Sequence, residues 1–317
     1  MTAVSSPPSS SAQLMPTLAL LVNAFVWGVS WWPFRELQNL GLHPLWATVA
    51  IYAVATGLIG LLRPRAMGRV LRSPALWVLM LASGTTNAAF NWAVTIGDVV
   101  RVLLLFYLMP VWSVLLARWL LGEALTAARV LRVLIALAGA LLVVATGPEA
   151  THSSRGAPWA LTLSLADGLG LLGGFSFALN NVMLRRESHR SEESRSFAMF
   201  AGGVVVAGAL VAVLSSPQVA LVPNLPPFNW SLVVGVLGMS GMFLIANVCL
   251  QLGAARLPAY LTALIMLSEV IFGTVSAVWL GAGTLTWAVV CGAGLILLAA
   301  ALALWQSDAK ETASDAV

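Results

Sequence analysis

Between residues 14 and 305 the chain is a succession of ten apolar runs of about 20 residues each: 14–34, 44–62, 74–96, 99–121, 127–146, 162–184, 197–214, 229–251, 257–280 and 285–305. That is the length an α-helix needs to cross the hydrocarbon core of a bilayer. Backbone in lipid must satisfy its own hydrogen bonds, so such runs are expected to fold as helices. The breaks between them hold proline, glycine or arginine, as in Arg63-Pro64-Arg65, Gly147-Pro148-Glu149 and the stretch from Pro223 to Pro227. Composition removes the alternatives. Of 317 residues 60% are hydrophobic and 9% charged, and the mean hydropathy is +0.92. A soluble chain carries roughly 25% charged residues, and one this poor in charge could not cover its own surface. A soluble enzyme, a disordered regulator and a nucleic-acid-binding domain are excluded on that ground. The expected fold is an all-α integral membrane protein with ten transmembrane helices.

Residues 1–13 are rich in serine and proline, without an apolar period, and read as a disordered tail. The first run has no basic segment before it and is too long for a signal-peptide core, so it reads as a retained helix. Cys249 and Cys291 both lie in apolar runs, which argues against a disulfide framework or a zinc site. Orientation follows from the basic residues. With the N-terminus cytoplasmic, 13 of the 16 fall inside: Arg63, Arg65, Arg69, Arg72, Arg118, Arg129, Arg132, Arg185, Arg186, Arg190, Arg195, Arg256 and Lys310. Only Arg35, Arg101 and Arg155 fall outside. That split is the positive-inside bias. It makes the net charge of +4 a topology signal and predicts an inner-membrane protein with both termini cytoplasmic.

The two halves match at an offset of 160 residues: Asn87 and Asn91 in the third run correspond to Asn247 and Gln251 in the eighth. Each pair is four residues apart, on one helix face. The fourth run ends Leu121-Gly122-Glu123 and then Leu125-Thr126; the ninth ends Leu280-Gly281-Ala282 and then Leu285-Thr286. Five helices per copy is an odd number, so the second copy enters the membrane from the opposite side. The expected layout is two inverted five-helix repeats, 14–147 and 157–306, between tails 1–13 and 307–317. Inverted repeats are a transporter architecture, with the substrate site near the midplane between them.

The sequence also resembles the EamA-type drug/metabolite transporters, through Trp27-Gly28 in the first run and Pro110 followed by Leu121-Gly122-Glu123. The resemblance covers about residues 14–306. The second copy departs from the pattern: Glu269 stands where the family usually has proline, and Leu280-Gly281-Ala282 lacks the glutamate of its counterpart. The resemblance implies a ten-helix secondary exporter of small metabolites, with the branch that exports amino acids, aromatic ones included, nearest in layout.

Polar side chains within the runs must find a partner or line a wet cavity. Glu269 is the only charge in residues 257–307. It reads either as a protonatable or ammonium-binding carboxylate in a central cavity, or as a protonated, hydrogen-bonded core residue. Arg101 could hold a substrate carboxylate in a fork, or pair locally with Asp98, or reach the headgroups. Asp167 reads as a helix cap and Glu123 as part of a cytoplasmic ion pair. Asn23, Trp27 and Trp31 fall on one face of the first helix, with Asn180 at a comparable place in the sixth. Together with Asn87, Asn91, Asn247 and Gln251 they would make a cavity with amide walls and an aromatic floor, suited to an amphipathic solute. Each amide has a plainer reading as interhelical glue. Trp77, Trp119, Trp159, Trp230 and Trp305 belong to interfacial belts, and the paired glycines to close helix packing.

No GxxxxGK[ST] loop or GxSxG elbow is present. The three histidines, His43, His152 and His189, lie in connections. No enzyme, cofactor, metal or nucleotide site is expected. Asp98 and Asp167, the candidates for an intramembrane hydrolase, lie at the outer ends of their runs. The expected partners are a small-molecule substrate, membrane lipids and a coupling proton. The expected function is export of small amphipathic metabolites, amino acids foremost, by alternating access. Multidrug efflux stands second, with a passive channel or lipid scrambling behind it.

Overall fold

The computed structural model describes residues 10–121, 126–145, 163–254, 256–257 and 265–314. The Glu123 carboxylate, the 147–149 break, Arg155 and most of the N-terminal tail lie outside them. Regular structure among the described residues is entirely α-helical. The helices, in chain order, are α1 (Ser10–Val29), α2 (Trp31–Asn39), α3 (Pro44–Leu62), α4 (Pro64–Leu71), α5 (Pro74–Ile96), α6 (Val99–Phe106), α7 (Met109–Leu121), α8 (Ala127–Ala145), α9 (Leu165–Arg186), α10 (Glu192–Leu214), α11 (Trp230–Ala254), α12 (Ser268–Trp279) and α13 (Trp287–Ser314).

Local chemistry sets the boundaries. Pro44, Pro64 and Pro74 each occupy the first helical turn, where a missing N–H costs nothing. His43 caps α3, its Nδ1 accepting from the Leu45 N–H at 3.2 Å. Burial holds the His43 imidazole below its ordinary pKa range, which keeps it neutral and able to accept. Ser164 and Asp167 form a reciprocal capping box at the start of α9.

Five stretches among the described residues are long and apolar enough to cross a membrane: Leu14–Asn39, Pro44–Leu62, Val99–Leu120, Glu192–Leu214 and Trp230–Leu250. Three shorter helices, Val130–Val143, Ser268–Trp279 and Trp287–Ala299, are also apolar. Helices α5 and α9 have the length, at 23 and 22 residues, but not the hydropathy. They hold Ser83, Thr86, Asn87 and Asn91, and Asp167, Asn180 and Asn181, and they pack against one another in the interior.

The outer surface is apolar. Trp119, Trp279 and Trp287 are more than four-fifths exposed, with Leu61 and Phe228 among many other large apolar side chains turned outward. A surface like this matches lipid and not water. It makes the chain a multi-pass membrane protein.

The principal packing crosses between the halves of the chain. Helix α1 lies against α11 and α12, α5 against α9 and α10, α3 against α10 and α11, α6 and α7 against α9, and α8 against α13. Gly139 and Gly292 bring α8 and α13 so close that a Cβ on either would stand 2.6 Å from the other's carbonyl oxygen. At one end of the molecule Arg63 and Arg69 reach Glu193 at 3.1 and 3.0 Å, joining the α3–α4 and α9–α10 connections. At the opposite end Arg35 donates to the Val94 and Gly97 carbonyls, and Asp98 accepts from Thr284. The Trp46 indole donates to Pro223 O at 3.1 Å at that same end.

Candidate functional site

A cavity of about 140 Å³ lies where α1, α3, α5, α6, α9, α10, α11 and the start of α12 converge. Its walls are mainly aromatic. Trp27 stacks on Phe243 with centroids 4.5 Å apart, and Phe106 packs between Phe90 and Phe177 at 4.9 and 5.4 Å. Set into these walls are Asn23, Asn87, Asn180, Asn247, Tyr52, Tyr107, Ser83, Thr86 and the carboxyl group of Glu269.

Two helix breaks border the cavity. The first separates α6 from α7 at Tyr107-Leu108. Pro110 has no N–H to give the Phe106 carbonyl, so the α-helical ladder lapses there, and Leu108 N–H turns instead to Leu105 O at 3.2 Å. The second break falls at Leu267, before α12. There Val270 N–H bonds Leu267 O at 3.2 Å, and Ser268 Oγ takes up the Ile265 carbonyl at 2.6 Å. Tyr107 and Leu267 are 160 residues apart, the offset at which the amide pairs match.

Glu269 sits in the first turn after the second break. Gly28 is what lets α1 settle against this turn: a Cβ there would stand 2.7 Å from Glu269 O and 2.8 Å from Phe272 Cβ. The Tyr107 hydroxyl from the other break hydrogen-bonds the Glu269 carboxyl. Glu269 is partly exposed, and it lines the cavity.

Most hydrogen-bond donors in the lining are already engaged. Tyr52 donates to Asn87 Oδ1 at 2.7 Å, Asn87 Nδ2 to Ser83 O at 2.9 Å, and Ser83 Oγ to Met199 O at 3.2 Å. Thr86 Oγ1 donates to Ala82 O at 2.8 Å, and Asn23 Nδ2 reaches Met266 Sδ at 3.2 Å. Acceptors are left over. Asn23 and Asn180 are 0% and 2% exposed, and the amide oxygen of each has no hydrogen-bond partner. A buried acceptor without a donor costs about 1–3 kcal/mol, and both of these belong to residues of the cavity wall.

Of the residues singled out in the sequence, the cavity gathers Asn23, Trp27, Asn87, Asn180, Asn247 and Glu269. Three others lie elsewhere. Trp31 is buried between helices and donates to Ser276 Oγ at 3.0 Å, tying α2 to α12. Asn91 is 1% exposed and donates to Thr48 Oγ1 at 3.0 Å, tying α5 to α3. Arg101 belongs to a separate cluster described below. The side chain of Gln251 falls outside the described residues. The aromatic walls and the two tyrosines are additions of the structure. A signal for the tyrosines existed: the chain has three, and Tyr52 and Tyr107 both sit well inside apolar runs.

Arg101 and Asp167 form a buried bidentate pair linking α6 to α9, with Nε to Oδ1 at 2.6 Å and Nη2 to Oδ2 at 2.7 Å. Their side chains are 10% and 2% exposed. Asp98 is the neighbour in sequence, but its carboxylate is taken by the Arg101 backbone N–H at 3.0 Å and by Thr284 N and Oγ1 at 2.8 and 3.0 Å. The guanidinium therefore pairs across the fold and not locally. Asp167 also closes the α9 cap, its Oδ2 accepting from Ser164 N–H at 2.9 Å. No Arg, Lys or His lines the aromatic cavity among the described residues.

A lipid-facing helical surface around a polar, aromatic-walled interior cavity is the build of a membrane transport protein. Residues 14–145 match the EamA-like transporter family. A curated relative, the probable terminal-alkyne amino-acid exporter of Streptantibioticus cattleyicolor, is 27% identical over 182 residues. That alignment covers 56% of this chain and 56% of the relative, so the chain spans about half the length of the relative it matches. A protein crystal structure 21% identical in sequence shares the fold, with a TM-score of 0.57 over 95% of this chain and 99% of its own.

Proposed function

We propose that the chain is a secondary exporter of small amphipathic solutes that alternates access to the central cavity across the inner membrane. Its ten spans form two inverted five-helix repeats, 14–147 and 157–306, with both termini cytoplasmic. Amino acids are the leading substrates, in line with the relative described as a probable terminal-alkyne amino-acid exporter. The single observation that carries this reading is the cavity itself: aromatic walls, unpaired amide oxygens and one carboxyl group, bordered by two helix breaks 160 residues apart. Discontinuous helices at corresponding positions in two repeats are a mark of transporter binding sites.

The packing supports the repeat. If α1, α3, α5, α6–α7 and α8 correspond to α9, α10, α11, α12 and α13, exchanging the halves returns the principal contacts between them. The contact of α1 with α11 becomes that of α9 with α5. The contact of α1 with α12 becomes that of α9 with α6 and α7. The contact of α3 with α11 becomes that of α10 with α5, while α3 with α10 and α8 with α13 map onto themselves. Because the halves interlock, alternating access would rearrange the helix contacts between them. The ion pairs at 63–72 and 185–195 fall at one end and the 35, 98 and 223 contacts at the other, which agrees with the alternation of ten spans and with the placing of basic residues inside.

In this mechanism the aromatic walls hold the apolar part of the solute and exclude water. Glu269 holds either a proton or the ammonium end of the solute, so one displaces the other. The test is counterflow into proteoliposomes with a panel of amino acids and cationic dyes, for the parent and for Glu269→Gln. Saturable, exchangeable flux that loses its pH dependence in Glu269→Gln is expected. Large unsaturable electrical currents would instead identify a channel. Flux of the dyes without the amino acids would favour multidrug efflux, the reading that the aromatic walls alone would suggest.

A further inference from the structure

The polar groups of the cavity are unevenly divided between donors and acceptors, and the imbalance defines the charge type of the ligand. Its acceptors comprise the Glu269 carboxyl group and the unpartnered amide oxygens of Asn23 and Asn180. Its donors on Tyr52, Asn87, Ser83, Thr86 and Asn23 are committed to protein acceptors, and the Tyr107 hydroxyl bonds Glu269. The guanidinium that could have met a substrate carboxylate, Arg101, is locked onto Asp167 outside the cavity.

From this we infer that the cavity selects an apolar monocation, a primary amine whose carboxyl group is absent or masked as an ester or amide, over the free zwitterionic amino acid of the same side chain. The inference rests on the export reading above and narrows its substrate class. An alkylammonium brings N–H donors and one positive charge. The charge neutralises an ionised Glu269, which lines the cavity and can accept an N–H. A zwitterion brings the same ammonium together with a carboxylate that must leave water for a wall with few uncommitted donors and, among the described residues, no cation. An unpaired buried charge is the costliest mismatch a binding site can hold, and a missing polar partner is what lets a site discriminate strongly. The body of either ligand is the same, so the stacked Trp27 and Phe243 rings do not distinguish them.

The test measures equilibrium binding to the purified full chain by calorimetry with four probes of one body: 2-phenylethylamine, phenylalanine methyl ester, phenylalanine and 3-phenylpropionate. The amine and the ester are expected to bind at least about tenfold more tightly than phenylalanine, with the acid weakest. Glu269→Gln should flatten that order, and Asn180→Leu should weaken the amine and the ester in parallel. Because the order is read first on the parent protein, it does not depend on either variant folding. Phenylalanine binding as tightly as the amine, or more tightly, overturns the inference while leaving amino-acid export standing. An absence of saturable binding by all four, with no counterflow of any amino acid or dye, overturns both.

Discussion

Replacing Asp167 by asparagine is expected to be among the most damaging single substitutions in this protein. The change removes one charge from a pair whose side chains are 10% and 2% exposed and which is joined by two bonds of 2.6 and 2.7 Å. Breaking such a pair leaves the Arg101 guanidinium buried without a counter-charge, at a cost of about 3–5 kcal/mol. The same carboxylate caps α9 by accepting from Ser164 N–H, and weakening that bond adds up to about 1 kcal/mol. The pair itself contributes much less than this sum, because both ions had to be stripped of water to form it. The double replacement Arg101→Met with Asp167→Leu should therefore recover most of the loss, short of the cap. Thermal unfolding of the solubilised protein, followed by fluorescence-detected size exclusion, reads both effects: a fall of several degrees for Asp167→Asn and a smaller one for the double variant. An unshifted midpoint for Asp167→Asn, or a double variant as damaged as the sum of its parts, would refute the reasoning. The same double variant should still bind solute in the aromatic cavity. Lost binding with a restored midpoint would return Arg101 to the substrate site.

Gly28→Leu should push α1 away from the first turn of α12, since even a Cβ would stand 2.7 Å from Glu269 O. A destabilisation of about 1–3 kcal/mol in thermal unfolding is expected, and a variant that melts and binds like the parent would show that the close approach is dispensable. Asn180→Leu removes a buried amide oxygen that has no partner. It should leave stability unchanged or raised by up to about 1 kcal/mol while abolishing counterflow; loss of folded protein in step with lost flux would make Asn180 a packing residue. With Cys249 and Cys291 replaced, single cysteines placed in 63–72 or 185–195 should react with an impermeant maleimide only from the cytoplasm, and one in 217–227 only from outside. Labelling of 217–227 from the cytoplasm would overturn the ten-span arrangement.

The apolar runs, their proline starts and the scarcity of charge determine a helical membrane protein before any contact is known, because lipid leaves the backbone no other way to satisfy itself. Two polar pairs at an offset of 160 were enough to suggest a repeat and led to two amides of the cavity wall, Asn87 and Asn247, with Glu269 found by its isolation among apolar residues. Sequence spacing could not say which amides face the cavity. Asn87 and Asn91 share one helix face, yet Asn87 lines the cavity while Asn91 donates to Thr48 on α3, since a turn of helix is enough to change which neighbour is met. The same holds for Trp27 and Trp31 of the first apolar run, one stacked on Phe243 in the wall and the other, past the end of α1, bonded to Ser276. Arg101 shows the limit most sharply. Its local partner by sequence was Asp98, three residues away, but ion pairs follow distance in space and not along the chain. Only the packing of α6 against α9 brought Asp167, 66 residues on, within 2.6 Å of it. That one pairing removed the cavity's candidate cation, and with it decided the charge type that the site is built to hold.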